Sequence, residues 1–346
     1  INGFKKVLNL TYYGIFHEFY FYLLVYKIKM VDCNIIFPLI NIIIHDIYNI
    51  NKKFKVIIII FSVFIYDFFI INKSNKKFIC LCAIGRKENL YVKEYINHYK
   101  NLGYDHIFIY DNNEINSERF SDILQSEIKN GFVSIIDFIG YKSNSISTQI
   151  EAYYDCYKRN NRNYNWLSFY DFDEYLELKP KNITIQEFLN SRRYKRCQNI
   201  KINWLEYNSK NETLYYENKP LQLRFDKAFY NLISNKHIKS TVRGGIYENY
   251  WSKWTNPHSS LINIKSCSSS GKYVNSQTPF IEPPDYKYAF IKHYYRKSFE
   301  EFCLKIKRGW PDITNKTFFK NNLIEQNKNY IEKIKIIKKI FNLTSV

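Results

Sequence analysis

Trp166-Leu-Ser-Phe-Tyr-Asp-Phe-Asp-Glu-Tyr-Leu-Glu-Leu178 begins as an apolar run and then turns acidic. Trp166 to Tyr170 reads as a buried strand, short and rich in aromatic side chains. In extended backbone, side chains two apart point the same way. Asp171 and Asp173 are therefore expected to present both carboxylates to one ion while Phe172 turns into the core. Hard divalent cations such as Mg²⁺ or Mn²⁺ take oxygen ligands and keep waters or phosphate oxygens as the rest of their shell. A strand-end pair of aspartates thus suits a metal–diphosphate complex, in which the ion neutralises charge developing on the phosphates. The bare Asp-x-Asp tripeptide is common in solvated turns, so its meaning depends on what surrounds it.

Upstream, the pattern alternates. Phe78 to Ile84 reads as a buried strand and Asn89 to Asn101 as an amphipathic helix ended by Gly103. His106 to Tyr110 is a second strand closing on Asp111-Asn112-Asn113, and Glu118 to Lys129 a helix stopped by Asn130-Gly131. Phe132 to Phe138 gives a third strand, Ser147 to Arg159 a helix, and Trp166 to Tyr170 the fourth strand. Strands alternating with helices of this length predict an α/β fold with a mostly parallel sheet. Ligands of such sheets bind beyond the carboxyl ends of the strands, where Arg86, Glu88, Asn89, Asp111, Asn112, Asp171 and Asp173 fall.

Beyond residue 180 the order changes. A short helix over Thr184 to Ser191 precedes strand-like stretches near 198–206, 221–225, 236–242 and 258–264, and then come helices over Ser298 to Lys307 and about Phe318 to Phe341. The first 73 residues differ from everything after them. Val56 to Ile71 is nearly continuous apolar sequence between lysines, about 16 residues against the ~20 that span a bilayer, and it carries Asp67. A membrane anchor, a non-native extension beginning at Ile1, and a buried helix are the open readings. The expected division is an apolar extension or anchor over 1–73, a catalytic domain over 74–312 and a carboxyl-terminal helix over 313–346. The expected location is cytoplasmic or membrane-associated.

The chain carries 51 Lys and Arg against 32 Asp and Glu, a net charge of +19. Such a balance ordinarily points to polyanions. Here the lysines are spread along a sequence rich in Ile, Asn, Lys, Tyr and Phe, a bias that tracks AT-rich codons, and a solvated lysine surface accounts for them. The seven cysteines are odd in number and form no C-x-x-C pair. Cys80 and Cys82 share one face of a strand, so buried free thiols are expected, with neither a disulfide framework nor a zinc site. Asn-x-Ser/Thr sites such as Asn182, Asn211 and Asn342 are near chance in so Asn-rich a chain.

From about Lys77 to Asp312 the sequence resembles family 92 and related family 2-like glycosyltransferases of the GT-A fold. The resemblance rests on short blocks in order: Arg86-Lys-Glu-Asn-Leu-Tyr-Val-Lys-Glu-Tyr95, His98-Tyr-Lys-Asn-Leu-Gly103, Ile109-Tyr-Asp-Asn-Asn113, Gln149-Ile-Glu-Ala-Tyr153, and Asp171-Phe-Asp-Glu174. Lys239-Ser-Thr-Val-Arg243, Asn256-Pro-His258 and His293-Tyr-Tyr-Arg-Lys-Ser-Phe-Glu-Glu-Phe302 follow, the last running into Lys307-Arg-Gly309. The resemblance implies a GT-A type nucleotide-sugar-binding fold with a mostly parallel mixed sheet, and a metal-dependent, inverting hexosyltransferase. Its partners would be a nucleotide-sugar donor and a glycan or other hydroxyl acceptor.

By the same resemblance Arg86, Glu88, Asn89, Asp111, Gln149 and Asp171 would bind the donor, with Lys239, Arg243 and Lys297 on the diphosphate. Asp171, Asp173 and His293 would hold Mn²⁺ or Mg²⁺, His258 being the alternative histidine. Asp173, Glu174 and Glu206 would be catalytic, the two glutamates as candidate bases. Trp204, Trp251 and Trp254 are candidate platforms for acceptor sugars or core residues. The chain departs from the family at Lys87-Glu88-Asn89 and over 199–218, which leaves acceptor recognition open. The competing classes are a basic nucleic-acid-binding protein and a metal-dependent nuclease. No basic helix or nucleic-acid motif supports the first, so no nucleic-acid partner is expected, and the second explains none of the other blocks.

Overall fold

The structure is a computed structural model, and it describes residues 76–139, 147–208, 214–215, 219–246, 256–258, 263–309 and 316–343. The chain divides into Ile1–Ser74 and Asn75–Val346. The first unit, with the apolar segment 56–71, lies outside the described residues.

The second unit opens with strand β1 (Lys77–Gly85), helix α1 (Asn89–Asn101), β2 (His106–Asp111), the short helices α2 (Phe120–Ile123) and α3 (Gln125–Lys129), and β3 (Val133–Asp137). Helix α4 (Thr148–Asn160), β4 (Tyr164–Phe169), β5 (Glu174–Leu178), α5 (Ile185–Leu189) and β6 (Asn199–Tyr207) follow. Then come α6 (Leu221–Arg224), β7 (Ala228–Phe229), β8 (Ile238–Arg243), β9 (Ser266–Cys267), β10 (Tyr273–Val274), β11 (Ala289–His293), α7 (Phe299–Arg308), α8 (Lys316–Asn327) and α9 (Ile331–Phe341).

The sheet runs β10-β9-β6-β8-β4-β1-β2-β3. β1 pairs in parallel with both β2 and β4, and β2 with β3. The antiparallel β8 joins this half to β6. β6 is shared: Asn199 to Asn203 pair with β8, while Trp204 to Glu206 pair in parallel with β11. β11 also pairs antiparallel with β5, placing Glu174 opposite His293.

The period of two in β1 decides how the layers form. Ile79, Leu81 and Ala83 pack with Val92, Tyr95, Ile96 and Tyr99 of α1, whereas Cys80 and Cys82 belong to a second cluster with Ala152, Tyr153, Cys156 and Tyr157 of α4. Both faces of the strand are thus covered by helices, which is why it reads as a continuous apolar run. A third cluster joins Cys303 and Ile306 of α7 to Leu323 of α8 and Ile336, Ile337 and Ile340 of α9. Gly103 ends α1 at φ +89°, a backbone state that favours glycine.

Several expectations give way. The stretch 221–225 forms helix α6, because Pro220 at its N-cap opens a single turn. The helix expected over 118–129 is two short ones meeting at Leu124, and the last helix breaks between Asn327 and Ile331 into α8 and α9. Only the ends of 258–264 are described, and the strand there lies at Ser266–Cys267.

The cysteine reading is also corrected: Cys82 bonds to Cys156 and Cys197 to Cys267, leaving Cys80 and Cys303 as the buried free thiols among the described residues, with Cys33 outside them. Cys80 and Cys82 do share a face, but packing of α4 on that face brings in a cysteine 74 positions away. No spacing rule reports such a partner.

The most sensitive packing contact is at the end of β1. A Cβ added to Gly85 would fall against the Phe172 ring and 2.9 Å from Phe120 Cζ. Gly85→Ala is expected to cost about 1–3 kcal/mol by overpacking, read as a lowered urea midpoint. A second expectation concerns His98 of α1, whose Nε2 contacts Leu176 O at 2.9 Å. Burial, with help from Lys292, holds its pKa at about 4. The unfolded chain therefore takes up a proton first as pH falls, and stability drops between about pH 6.5 and 4. Between pH 7 and pH 5 this group should account for about 2 kcal/mol of lost stability. His98→Gln should shrink the difference between urea midpoints at those two pH values.

Candidate active site

β4 ends at Phe169 and the chain turns at once. Glu174 N donates to Asp171 O at 3.0 Å, and Asp171 N donates to Glu174 Oε2 at 2.8 Å. The turn inserts Phe172 into the core, where it stacks on Phe120 and packs on Tyr95. Because Asp171 to Asp173 lie in a turn and not in extended backbone, the two carboxylates part company.

Asp171 accepts from Gln149 Nε2 at 2.5 Å, Tyr153 OH at 2.7 Å and Lys239 Nζ at 2.8 Å. Asp173 accepts from Lys305 Nζ at 2.8 Å on Oδ2, while its Oδ1 lies 3.9 Å from His293 Nε2. Burial opposes ionisation of Asp173, but Lys305, His293 and Lys297 outweigh it and hold the carboxyl far below its usual range. Asp173 is a fixed anion.

His293 closes β11 with its ring held on two sides. Glu206 Oε1 contacts Nδ1 at 3.0 Å, and the Trp204 indole stacks on the imidazole at 3.9 Å between centroids. Trp204 and Glu206 alternate onto the same face of β6, so one strand supplies both contacts. Burial works against protonation, yet Glu206 and Asp173 raise the His293 pKa. With Nδ1 engaged by Glu206, the ring is held so that Nε2 faces Asp173, the way a carboxylate orients a metal-binding histidine.

His258 meets the opposite environment. Burial, then Lys239 and His237, push its pKa down to about 2. It sits edge-on to Trp204 and to His237. Trp204 is also stacked on His237 at 4.9 Å, so its ring packs among three histidines and is not an open sugar platform. Trp251 and Trp254 lie outside the described residues.

Glu174 is fully buried beneath the turn. Its Oε2 also faces Lys239 Nζ at 3.5 Å, and its Oε1 has no hydrogen-bond partner among the described residues. Burial raises its pKa, with neighbouring Asp171 adding to the rise against the pull of Lys239.

The remaining expected donor residues divide. Glu88 is buried, with Arg308 Nη1 at 2.5 Å and Lys297 Nζ at 3.5 Å. Arg308 also donates to Arg86 O at 2.7 Å and Lys87 O at 3.2 Å, fixing the loop after β1. The Arg86 side chain pairs with Glu114, and Asn89 Nδ2 donates to Arg119 O at 3.2 Å.

Asp111 is fully buried; it accepts from Asn113 N at 3.0 Å, Asn113 Nδ2 at 2.8 Å and Phe120 N at 3.3 Å, and pairs with Arg119 at 3.1 Å. Its carboxylate shapes the loop after β2 from within. Arg243 is placed away from the cluster. It lies opposite Trp166 at the amino end of β4, about 13 Å along β8 from Lys239. There it donates to Cys197 O at 2.6 Å and Tyr194 O at 3.1 Å and stacks on Trp166.

Sequence reasoning missed Lys305 and Arg308. Both lie on the inward side of α7 with Glu301, at i+4 and i+7. Glu301 forms the capping box with Ser298, takes a two-pronged contact from Arg224 at 2.7 and 2.9 Å, and accepts from Tyr91 OH at 2.7 Å. The Glu-x-x-x-Lys-x-x-Arg spacing was a readable signal that one side of this helix carries charge inward.

Among the described residues, no group of three or more His, Cys, Asp or Glu is arranged to hold a metal. The smaller set Asp173 Oδ1 and His293 Nε2 lies 3.9 Å apart, wider than the ~3 Å between adjacent oxygen or nitrogen ligands of an octahedral ion with bonds of about 2.1 Å, so the pair could share one divalent ion only after closing by about 1 Å. Waters or phosphate oxygens would complete its shell. Asp171 turns to other partners: Gln149 and Tyr153 donate to its Oδ1 and Lys239 to its Oδ2.

The family model for glycosyltransferase family 92 matches residues 76–334. Two crystal structures of S. aureus TarS are among the solved structures that the chain matches. One shares 10% identity at a TM-score of 0.33, covering 77% of this chain and 43% of that one. The other, TarS 1-349, shares 8% identity at a TM-score of 0.34, covering 77% and 71%. The chain therefore spans less than half the length of the first. No curated protein matches it.

Proposed function

The chain belongs to glycosyltransferase family 92, and from that premise we propose that it moves a sugar from a nucleotide-sugar donor to a hydroxyl of a glycan or similar acceptor, with inversion and with Mn²⁺ or Mg²⁺. The observation that carries the reading is the Asp173–His293–Glu206 arrangement. Three elements of the matched region, the turn after β4 and the ends of β11 and β6, bring two buried carboxylates to the two nitrogens of one buried imidazole.

Asp173 and His293 would hold the ion, which when bound would help neutralise the leaving diphosphate. Glu206 fixes the imidazole so that Nε2 stays directed at Asp173. Asp171 acts one step back: its carboxylate, with that of Glu174, holds the buried Lys239 ammonium in place. Glu174 is the proposed general base on the acceptor hydroxyl, a role that requires the turn over its buried carboxyl to open. Its Oε1, unpartnered among the described residues, and its burial-raised pKa are what a base working near neutrality requires.

We infer the location from the cysteines. Two disulfides support folding in an oxidising compartment and not in the reducing cytoplasm. Among the described residues no helix is long and apolar enough to cross a membrane.

A hydrolysis screen of the full chain across UDP- and GDP-sugars, with and without Mn²⁺, tests the class and the donor together. Turnover of none of them would remove the assignment. For the donor it accepts, Asp173→Asn should lower transfer at least about 100-fold while the circular dichroism spectrum is kept. Glu174→Gln should lower kcat by about 100-fold or more and leave donor KM near the wild-type value. A Glu174→Gln enzyme of normal kcat would exclude it as the base.

A further inference from the structure

Transfer from a nucleotide sugar leaves a diphosphate whose charge a protein cation commonly meets. Arg243 is too far along β8 to do so, and the other basic groups of the site differ in which acid they meet. Lys239 is fully buried between Asp171 and Glu174. Lys297 lies 3.5 Å from Glu88 with its ammonium 3.5 Å above the Tyr91 ring. Arg308 gives Nη1 to Glu88 and to two backbone carbonyls of the loop after β1. Lys305 is set apart by its partner: of these four cations it is the one in contact with Asp173. Its ammonium has three protons, and the structure shows two acceptors: Asp173 Oδ2 at 2.8 Å and Tyr295 O at 3.3 Å. The Tyr295 ring backs it at 4.3 Å, and 12% of its side chain remains exposed.

The Asp173 carboxylate is thus divided. Oδ2 belongs to the Lys305 ammonium, and Oδ1 faces the His293 imidazole. His293 and Lys305 thus flank the two oxygens of one carboxylate. We propose that Lys305 is a donor-binding residue, its ammonium held by Asp173 and Tyr295 so that the remaining proton is given to the diphosphate of the nucleotide sugar.

This inference rests on the nucleotide-sugar reading and extends it to a residue on α7. That helix is held firmly enough for the task. Its first turn is pinned by the Ser298–Glu301 capping box and by Arg224 and Tyr91 on Glu301, one turn before Lys305 on the same side. The position of the ammonium is therefore set by buried contacts on both sides of Lys305 and not by a flexible surface stem.

The test is calorimetric binding of UDP, GDP, uridine and guanosine to the full chain, with and without Mn²⁺, comparing wild type with Lys305→Met and Lys305→Arg. The expected result is that Lys305→Met weakens the diphosphate that the wild type binds by about 10- to 100-fold. The matching nucleoside should be unaffected, and Lys305→Arg should recover part of the loss. Unchanged diphosphate affinity in Lys305→Met overturns the proposal. Equal losses for diphosphate and nucleoside overturn it too, since they mark a residue that only supports the fold. A wild type that binds neither UDP nor GDP better than the nucleosides removes the nucleotide-sugar reading itself, and the assignment of Lys305 with it.

Discussion

A charged group taken out of water must meet an opposite charge or a full set of hydrogen-bond partners, and removing one member of such a buried pair costs about 3–5 kcal/mol. The carboxyl ends of β4, β6 and β11 are organised around this constraint. Glu88, Asp173, Glu174 and Glu301 are all buried there, and so are Lys239, Lys297 and Arg224. Each acid finds its base far away in sequence: Glu301 meets Arg224, Asp173 meets Lys305, and Glu88 meets Arg308 and Lys297. These pairs tie α7 to the loop after β1 and to the turn after β4. The parts of the chain that form the site are held to one another mainly by charge that cannot be left unpaired.

The same constraint separates two histidines that are equivalent in sequence. His293 lies between Glu206 and Asp173, and these anions overcome the burial that would keep it neutral. His258 is buried beside Lys239 and His237, so burial and like charge act together against a proton. Only His293 faces an aspartate across a gap that one divalent ion could bridge once it narrows. The two aspartates are separated in a comparable way. Asp171 is a scaffold for Lys239, while Asp173 keeps an oxygen turned toward the imidazole.

Much of the amino-terminal half was legible in the sequence because local physics decides it. Lys77–Gly85 is buried on both faces and reads as continuous apolar sequence, and Asn89–Asn101 shows its buried face at helical spacing before a glycine of positive φ. Phe172 reads correctly as a core residue. Where reading failed, a tertiary contact overrode a local rule. The stretch 221–225 looks strand-like but folds into a turn of helix, whose Leu221 N is capped by Glu94 of α1 at 2.7 Å. Cys80 and Cys82 were placed on the right face, but their chemistry depends on Cys156, which only packing of α4 delivers.

What the sequence by itself determined is the alternation of strands and helices, the family resemblance, and the location of polar residues at strand ends, since these follow from periodicity and from ordered motifs. What only the tertiary structure decided is which of those polar groups face one another. The turn after Phe169 broke the period of two and sent Asp171 and Asp173 to different partners. Antiparallel β8 carried Arg243 to the wrong end of the sheet for the site, and α7 brought in Lys305 from 132 positions away. The physical reason is that pairing energy between buried charges depends on distance in space, and a sequence records only distance along the chain.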